Sequence, residues 1–224
     1  MCDRRSPEGE GEGKAMDGAL LADRLSRGMG AAARVFGEAY DAYRPCGATD
    51  PLRAEGRFLR LPAAFDGGDP GFRRPAGYER ALRGTFDGVY LRVGDLLQGP
   101  RRTLFVAMLP PLNRPLCVLA NATVSVVRPA GPGGAGLGGY GGADAPAPVM
   151  DGWPAQVLAG GGGGRGFGLP EDGALAGFQV LLPLGAPTVR TGDALRDDAG
   201  RGYAVGAVEL SELGWRLQAR QVGT

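Results

Sequence analysis

The sequence predicts a mainly β protein, built as two small antiparallel β-barrel or meander modules preceded by an N-terminal amphipathic helix. Three observations predict it. The closing stretch, Thr191 to Gly223, reads as three short strands separated by turn chemistry. Asp197-Asp198-Ala199-Gly200 supplies one turn, since Asp tolerates turn backbone and Gly reaches positive φ without steric cost. Trp215, Leu217 and Ala219 then alternate with Arg216, Gln218 and Arg220, the dry and wet faces of a strand. The second observation is the β-rich stretch Thr85 to Pro129, in which Leu116, Val118, Ala120, Ala122, Val124 and Val126 share one side. The third is a recurrence: Gly94-Asp95 returns 98 positions later as Gly192-Asp193, and the same offset pairs Phe105 with Tyr203, Leu112 with Leu210 and Leu119 with Leu217. Two related modules would produce that match, and so would two independent meanders of similar length.

Taken in order, residues 1–15 are charged and Gly-rich and are expected to be a disordered tail. Residues 16–45 read as the helix. Asp17 is a fair N-cap, and Leu21, Leu25, Met29, Ala32, Phe36, Tyr40 and Tyr43 recur at spacings of three and four. Asp23, Arg24, Arg27, Arg34, Glu38 and Asp41 take the other face, and Pro45 is the stop. Gly28, Gly30 and Gly37 each weaken such a helix by about 1 kcal/mol relative to Ala, so its apolar stripe needs a covering surface. That surface could be its own sheet or a neighbouring subunit. Residues 46–129 form the first β module, irregular up to residue 84 except for one short strand at Arg57 to Leu61, with later strands at Arg101 to Leu109 and Leu116 to Val127. Residues 130–149 read as a Gly-rich linker. Residues 150–224 form the C-terminal module: a strand around Trp153, a loop carrying the glycine run 160–168, a strand at Gly177 to Leu184, and the closing meander.

Composition excludes whole classes of chemistry. The chain of 224 residues contains no histidine, which removes Ser-His-Asp and Cys-His hydrolysis and histidine acid-base catalysis. Three separated cysteines, Cys2, Cys46 and Cys117, make neither a disulfide framework nor a zinc motif. A net charge of +1 creates no field for nucleic acid. The basic residues are nearly all Arg, and with 42 Gly this reads as coding bias before it reads as a binding code. No apolar run reaches the ~18 residues of a membrane span, and the N-terminus does not resemble a signal peptide. The protein is therefore expected to be soluble and intracellular when made, without membrane contact.

Neither glycine run follows a strand and opens a helix, so a dinucleotide loop is not indicated. Asp95 and Asp193 fit strand-opening turns, and Glu209 and Glu212 bracket a strand connection; an enzyme built on carboxylates alone would need a cleft joining two of these four. No catalytic, cofactor-binding or metal-ligating set is expected. The row Arg216 and Arg220 reads as a solvated sheet face, or as the lumen lining of a ring around DNA, with non-specific contact at most.

The pieces Gly152-Trp153-Pro154-Ala155, Phe178-Gln179-Val180-Leu181-Leu182, Thr191-Gly192-Asp193-Ala194-Leu195, Gly200-Arg201-Gly202-Tyr203-Ala204-Val205 and Gly214-Trp215-Arg216-Leu217 resemble, in order, the small β-barrel head-tail joining proteins of tailed bacteriophages. Tyr40-Asp41-Ala42-Tyr43-Arg44-Pro45, followed by Asp50-Pro51-Leu52, is similar to structural proteins of alphaproteobacterial phages and prophages. The joining resemblance covers about a third of the chain, which is about twice as long as that family and adds a helix, a second β module and glycine insertions. It implies a virion protein assembled in the host cytoplasm, a connector or tail component that forms a homo-oligomeric ring and contacts other virion proteins. Leu21, Leu25, Met29, Phe36, Tyr40 and Trp153 are the expected assembly contacts. The alternative is a soluble carbohydrate- or peptide-binding module, which would present an exposed aromatic platform at Trp153 or Trp215.

Overall fold

A computed structural model describes residues 18–67, 73–129, 146–160 and 177–222. Two closed, six-stranded antiparallel barrels follow one N-terminal helix. The helix α1 (Gly18–Phe36) leads into barrel 1, made of β1 (Glu38–Tyr43), β2 (Arg57–Asp66), β3 (Leu82–Thr85), β4 (Leu96–Gln98), β5 (Thr103–Met108) and β6 (Leu116–Ala120). Barrel 2 contains β7 (Ala122–Arg128), β8 (Ala147–Ala159), β9 (Gly177–Leu182), β10 (Ala194–Asp197), β11 (Gly202–Ser211) and β12 (Gly214–Val222).

The helix is shorter than its periodicity suggests. It ends at Phe36, and Tyr40 and Tyr43 are buried residues of β1. Gly37 donates back to the Ala33 carbonyl at 2.8 Å, after which the chain extends. Apolar residues three apart are compatible with a helix and, across a bend, with a strand; the two tyrosines of β1 take the second option because Glu38 to Tyr43 pairs with β2 and Asp41 to Tyr43 also pairs with β4.

The module boundary also moves. The alternating run 116–127 is two strands, divided at Asn121, and β7 belongs to barrel 2. The even-numbered side faces barrel 2 throughout. Leu116 and Val118 of β6 are buried in a cluster with Leu181 of barrel 2, and Ala122, Val124 and Val126 of β7 line that barrel's interior. Asn121 locks the crossing by reciprocal bonds with Val157, its Nδ2 donating at 2.9 Å and its Oδ1 accepting at 2.7 Å. Barrel 2 thus begins at residue 122, and in the sequence the glycine-rich stretch falls between two strands of that barrel, β7 and β8, rather than between the modules. Residues 130–145 of that stretch, residues 161–176 of the second glycine run and the expected N-terminal tail lie outside the described residues.

Both barrels have the same topology. Strand order 1-2-3-6-5-4 in the first is 7-8-9-12-11-10 in the second, and both close. The last pair of each meander carries a bulge at the same place, between Val106 and Met108 in β5 and between Val205 and Ala207 in β11. The bulge in β11 also turns Ala207 outward and brings Val208 onto the core, so the Tyr203, Val205, Ala207 face expected from simple alternation stops at Val205. The constant offset of 98 holds only to the end of β4 and β10. Leu96 faces Phe105 while Ala194 faces Ala204, so a turn longer by one residue shifts the match to Phe105 with Ala204 and Leu104 with Tyr203.

Both interiors are filled by side chains, as small closed barrels require. Tyr40, Phe86, Leu97, Leu104 and Cys117 sit in the first, and Trp153, Leu195, Tyr203 and Leu217 in the second. In each, an edge-to-face aromatic pair spans the interior with centroids 5.1 Å apart: Tyr40 with Phe65, and Phe178 with Tyr203. A third apolar cluster cements the barrels together, with Phe105, Ala107, Leu116 and Val118 from β5 and β6 meeting Leu181 of β9. The loop after β1 reinforces this seam, because Ala48 accepts from Trp153 Nε1 at 2.9 Å and Asp50 N–H donates to the Asp151 carbonyl at 3.1 Å.

Candidate assembly surface

The residues expected to make assembly contacts separate into two groups. Tyr40 and Trp153 are fully buried within the barrels and are core residues. Neither can meet a partner without unfolding. Leu21, Leu25, Met29 and Phe36 lie on α1 and remain at or near the surface: Leu21 and Met29 are half-buried, Leu25 is 40% exposed and Phe36 is 63% exposed.

Two contacts explain this incomplete burial. The helix is pinned by its small and polar residues. Ser26 Oγ donates to Asp87 Oδ1 and accepts from Gly88 N–H, both at 2.9 Å. Gly30 lies so close to the loop after β3 that a Cβ there would meet Asp87 Cβ at 2.8 Å. With Gly30 and Ala33 taking the closest approach to the barrel, the leucine stripe is rotated to one side. A groove remains along each flank of the helix. The first, about 310 Å3, lies between α1 and the prolines of the β5–β6 connection, with Ala22, Ser26, Met29, Val89, Leu109 and Pro111 in its walls. The second, about 480 Å3, has Leu21, Leu25, Gly28, Met29 and Ala32 on the helix side and Thr85 and Arg114 on the barrel side.

A polar groove of about 360 Å3 runs at the seam between the barrels, lined among others by Gly77, Glu79, Gln179, Arg216 and Gln218. Its polar groups are turned on one another. Gln179 Nε2 donates to the Gly77 carbonyl at 2.6 Å, Arg216 Nη1 reaches the Ala76 carbonyl at 3.2 Å, and Gly77 N–H donates to Glu79 at 2.8 Å. Gly77 N–H is the main influence holding the Glu79 carboxyl below the usual range. Arg216 also pairs with Glu209. It therefore belongs to the seam, while Arg220, further along the same face of β12, is exposed.

The carboxylates considered for catalysis are spread over two barrels and are mostly occupied. Asp95 is held by Arg44, Asp193 by Arg128 and Glu209 by Arg216. Glu212 is exposed on the β11–β12 turn. Among the described residues no group of three or more Cys, Asp or Glu could hold a metal ion. Trp215 is buried like Trp153, its Nε1 donating to the Ala186 carbonyl at 3.2 Å, so neither indole forms an exposed platform. No described helix is long and apolar enough to cross a membrane.

The arginine partners of the two Gly-Asp turns are the feature that sequence reasoning missed. Their signal is faint, since Arg44 and Arg128 lie far upstream of the carboxylates they hold. A better signal of the structural repeat was present in Leu61-Pro62-Ala63 and Trp153-Pro154-Ala155, which occupy equivalent places in β2 and β8: Ala63 pairs with the first residue of β1, and Ala155 with the first residue of β7. In comparisons with known proteins, no family, curated protein or solved structure matches the chain.

Proposed function

We propose that the chain is a structural protein of a tailed-bacteriophage particle, a head-tail joining or tail component that acts by binding other virion proteins. The observation that carries this reading is the α1 surface. Both barrel interiors are filled, Gln179, Arg216 and Glu79 of the polar seam are hydrogen-bonded, and among the described residues two mainly apolar grooves flank a helix whose leucines are half covered. Such relief on a chain with packed barrels suits assembly better than turnover. The phage assignment itself rests on the likeness of the C-terminal pieces to joining proteins. Gly192-Asp193, Tyr203 and Trp215, which carry that likeness, are placed at a strand opening, a barrel interior and a strand start of barrel 2.

Deletion of the gene in its phage or prophage, followed by negative-stain electron microscopy, tests the proposal. Separated heads and finished tails are expected for a joining protein, and absent or truncated tails for a tail component. Normal infectious particles would overturn it.

A further inference from the structure

The two barrels meet through faces that can be compared one for one. In the seam, β5 and β6 of barrel 1 present Phe105, Ala107, Leu116 and Val118, all fully buried, against the β8–β9 side of barrel 2, whose Leu181 joins their cluster. By register, Thr85 of barrel 1 is the counterpart of Leu181: Thr85 pairs with Ala64 and Leu181 with Gln156, and each of those strand residues directly follows an equivalent alanine, Ala63 or Ala155. Thr85 lies in the floor of the larger groove, beside α1, which covers the β2–β3 side of barrel 1. The helix therefore sits over the barrel 1 face whose counterpart in barrel 2 is an interface. It covers that face incompletely.

The opposite end of the tandem has been closed by chemistry. The counterparts of Phe105, Ala107, Leu116 and Val118 on barrel 2 are Ala204, Gly206, Gln218 and Arg220, and all four are exposed. A second copy thus does not offer the counterpart of the seam's apolar face to the α1 surface. It could offer its own α1, but that helix brings Arg24 and Arg34, both without an acidic partner among the described residues, against the same charges.

We propose that the larger α1 groove binds an amphipathic helix of a different protein, one with leucine-type side chains on its buried stripe and carboxylates along its flanks. Rows of side chains on one helix seat in the channels of another, and Leu21, Leu25, Gly28 and Ala32 form such a row with a channel at its small residues. A Cβ on Gly28 would meet nothing within 4 Å, so a partner side chain has room there. Arg24 on the helix and Arg114 on the barrel edge the groove and give it positive rims. Arg114 is already shared with Asp66, and Arg24 is the groove cation with no acidic partner among the described residues. This inference rests on the assembly reading and specifies the partner that reading requires.

The test uses the full chain and a fluorescein-labelled synthetic helix of about 18 residues, roughly five turns, with leucines on one stripe and glutamates on its flanks. Its counterpart with lysines replacing the glutamates is the control. Saturable anisotropy change with the acidic peptide alone is expected, lost in Leu25→Glu and weakened about tenfold in Arg24→Glu, the order of effect for reversing one rim charge. Circular dichroism and melting of both variants verify that the fold is kept. Equal binding of both peptides, or of neither, would overturn the proposal, as would sedimentation showing a dimer of the chain that Leu25→Glu dissolves. Peptide binding with normal particles after gene deletion would leave the groove assigned and remove the virion role.

Discussion

Asp193 makes the same set of bonds in barrel 2 that Asp95 makes in barrel 1. Arg128 donates to Asp193 from Nε and Nη2, both at 2.9 Å, and Arg44 donates to Asp95 at 2.9 and 2.8 Å. The second oxygen of each carboxylate also accepts from the backbone N–H three residues earlier, Arg190 at 2.7 Å and Arg92 at 2.8 Å. Each guanidinium then reaches one more carbonyl at 3.1 Å, of Thr188 or Tyr90. Arg44 directly follows the first strand of barrel 1 and Arg128 ends the first strand of barrel 2, and Asp95 and Asp193 directly precede the fourth. The clamp thus ties the first hairpin to the closing meander in both halves. Such agreement of topology, bulge and clamp makes the two barrels an internal structural repeat.

Breaking the clamp should destabilise either barrel to a similar degree. Both carboxylates are almost fully buried, so Asp95→Asn and Asp193→Asn each lose charge-assisted bonds and are expected to cost about 2 kcal/mol in urea unfolding. Arg128→Ala should be worse than Asp193→Asn, because it strands a buried carboxylate. The two Asn substitutions lie in separate barrels and should add when combined. An unchanged midpoint in either single variant would contradict the role assigned to the clamp.

Acid should weaken barrel 2 through two carboxylates. Burial pushes the Asp193 carboxyl up, but the Arg128 bonds, the Arg190 N–H and the positive charge outweigh it and hold it below the ordinary range. Asp197 behaves alike, burial being outweighed by the Arg201 N–H and side chain and by the Tyr203 hydroxyl. A carboxyl depressed in the folded state contributes stability above its unfolded pKa of about 3.9, and the contribution disappears as pH falls through the lower folded value. Tyr203 has the opposite sign. Burial, then its bond to Asp197, raises its pKa, so its contribution is complete below about pH 10 and is lost as pH rises through the folded value. The urea midpoint should decline at both extremes, and Asp197→Asn should flatten the acid limb and blunt the alkaline one.

Much of the fold is legible in the sequence where a single period runs uninterrupted. The closing strands, with Tyr203, Trp215, Leu217 and Ala219 inside, follow from alternation and turn residues alone. Legibility fails where two elements share a period. From Leu116 to Val126 the alternation never breaks, because the face that packs against barrel 2 from outside becomes, after Asn121, the face that lines it. Tyr40 and Tyr43 continue the helical spacing of Leu21 to Phe36 only because β1 begins two residues after the helix ends. Of the assembly candidates, the α1 residues are visible as an unsatisfied stripe, while Trp153 shows that an aromatic in a short motif is core when its strand closes a barrel.

Gly94 and Gly192 provide a paired test of backbone strain against crowding. Their φ values are +93° and +91°, where an L side chain is strained. A Cβ on Gly192 would meet nothing within 4 Å, so Gly192→Ala should cost the backbone term alone, about 1–2 kcal/mol. A Cβ on Gly94 would also press on the Gly185 nitrogen of barrel 2 at 3.1 Å. Gly94→Ala should therefore be the more destabilising of the two in parallel urea titrations. Equal losses would mean that the seam yields freely at Gly185.

The cysteines should report on folding without an added label. Cys46 is exposed and Cys117 is fully buried in barrel 1, where burial pushes the thiol well above its ordinary pKa. Thiolate is the reacting form, so Cys117 is doubly protected. In a Cys2→Ser background, Ellman's reagent should titrate Cys46 promptly and Cys117 only at the rate of barrel 1 opening. Prompt reaction of both would show that barrel 1 opens far more often than its filled interior implies.

Leu181 decides whether the barrels unfold together. Its side chain is fully buried, yet it lies outside its own barrel's cluster and inside the one formed by Phe105, Leu116 and Val118 of the other. Leu181→Ala removes that knob and should cost about 2–5 kcal/mol, the range for truncating a buried leucine. The loss falls on the contact between barrels, because Val180 and Leu182, its neighbours in β9, still fill barrel 2. The wild-type chain should melt in one transition, with Trp153 and Trp215 fluorescence from barrel 2 coinciding with Cys117 exposure from barrel 1. In Leu181→Ala the two probes should separate, each barrel retaining its own clamp and filled interior. Val180→Ala, of similar burial but directed into barrel 2, should lower the fluorescence midpoint and leave Cys117 exposure later. Coincident probes in both variants would show that the loop from Ala48 to Asp50 and the Asn121 crossing couple the barrels without the apolar seam.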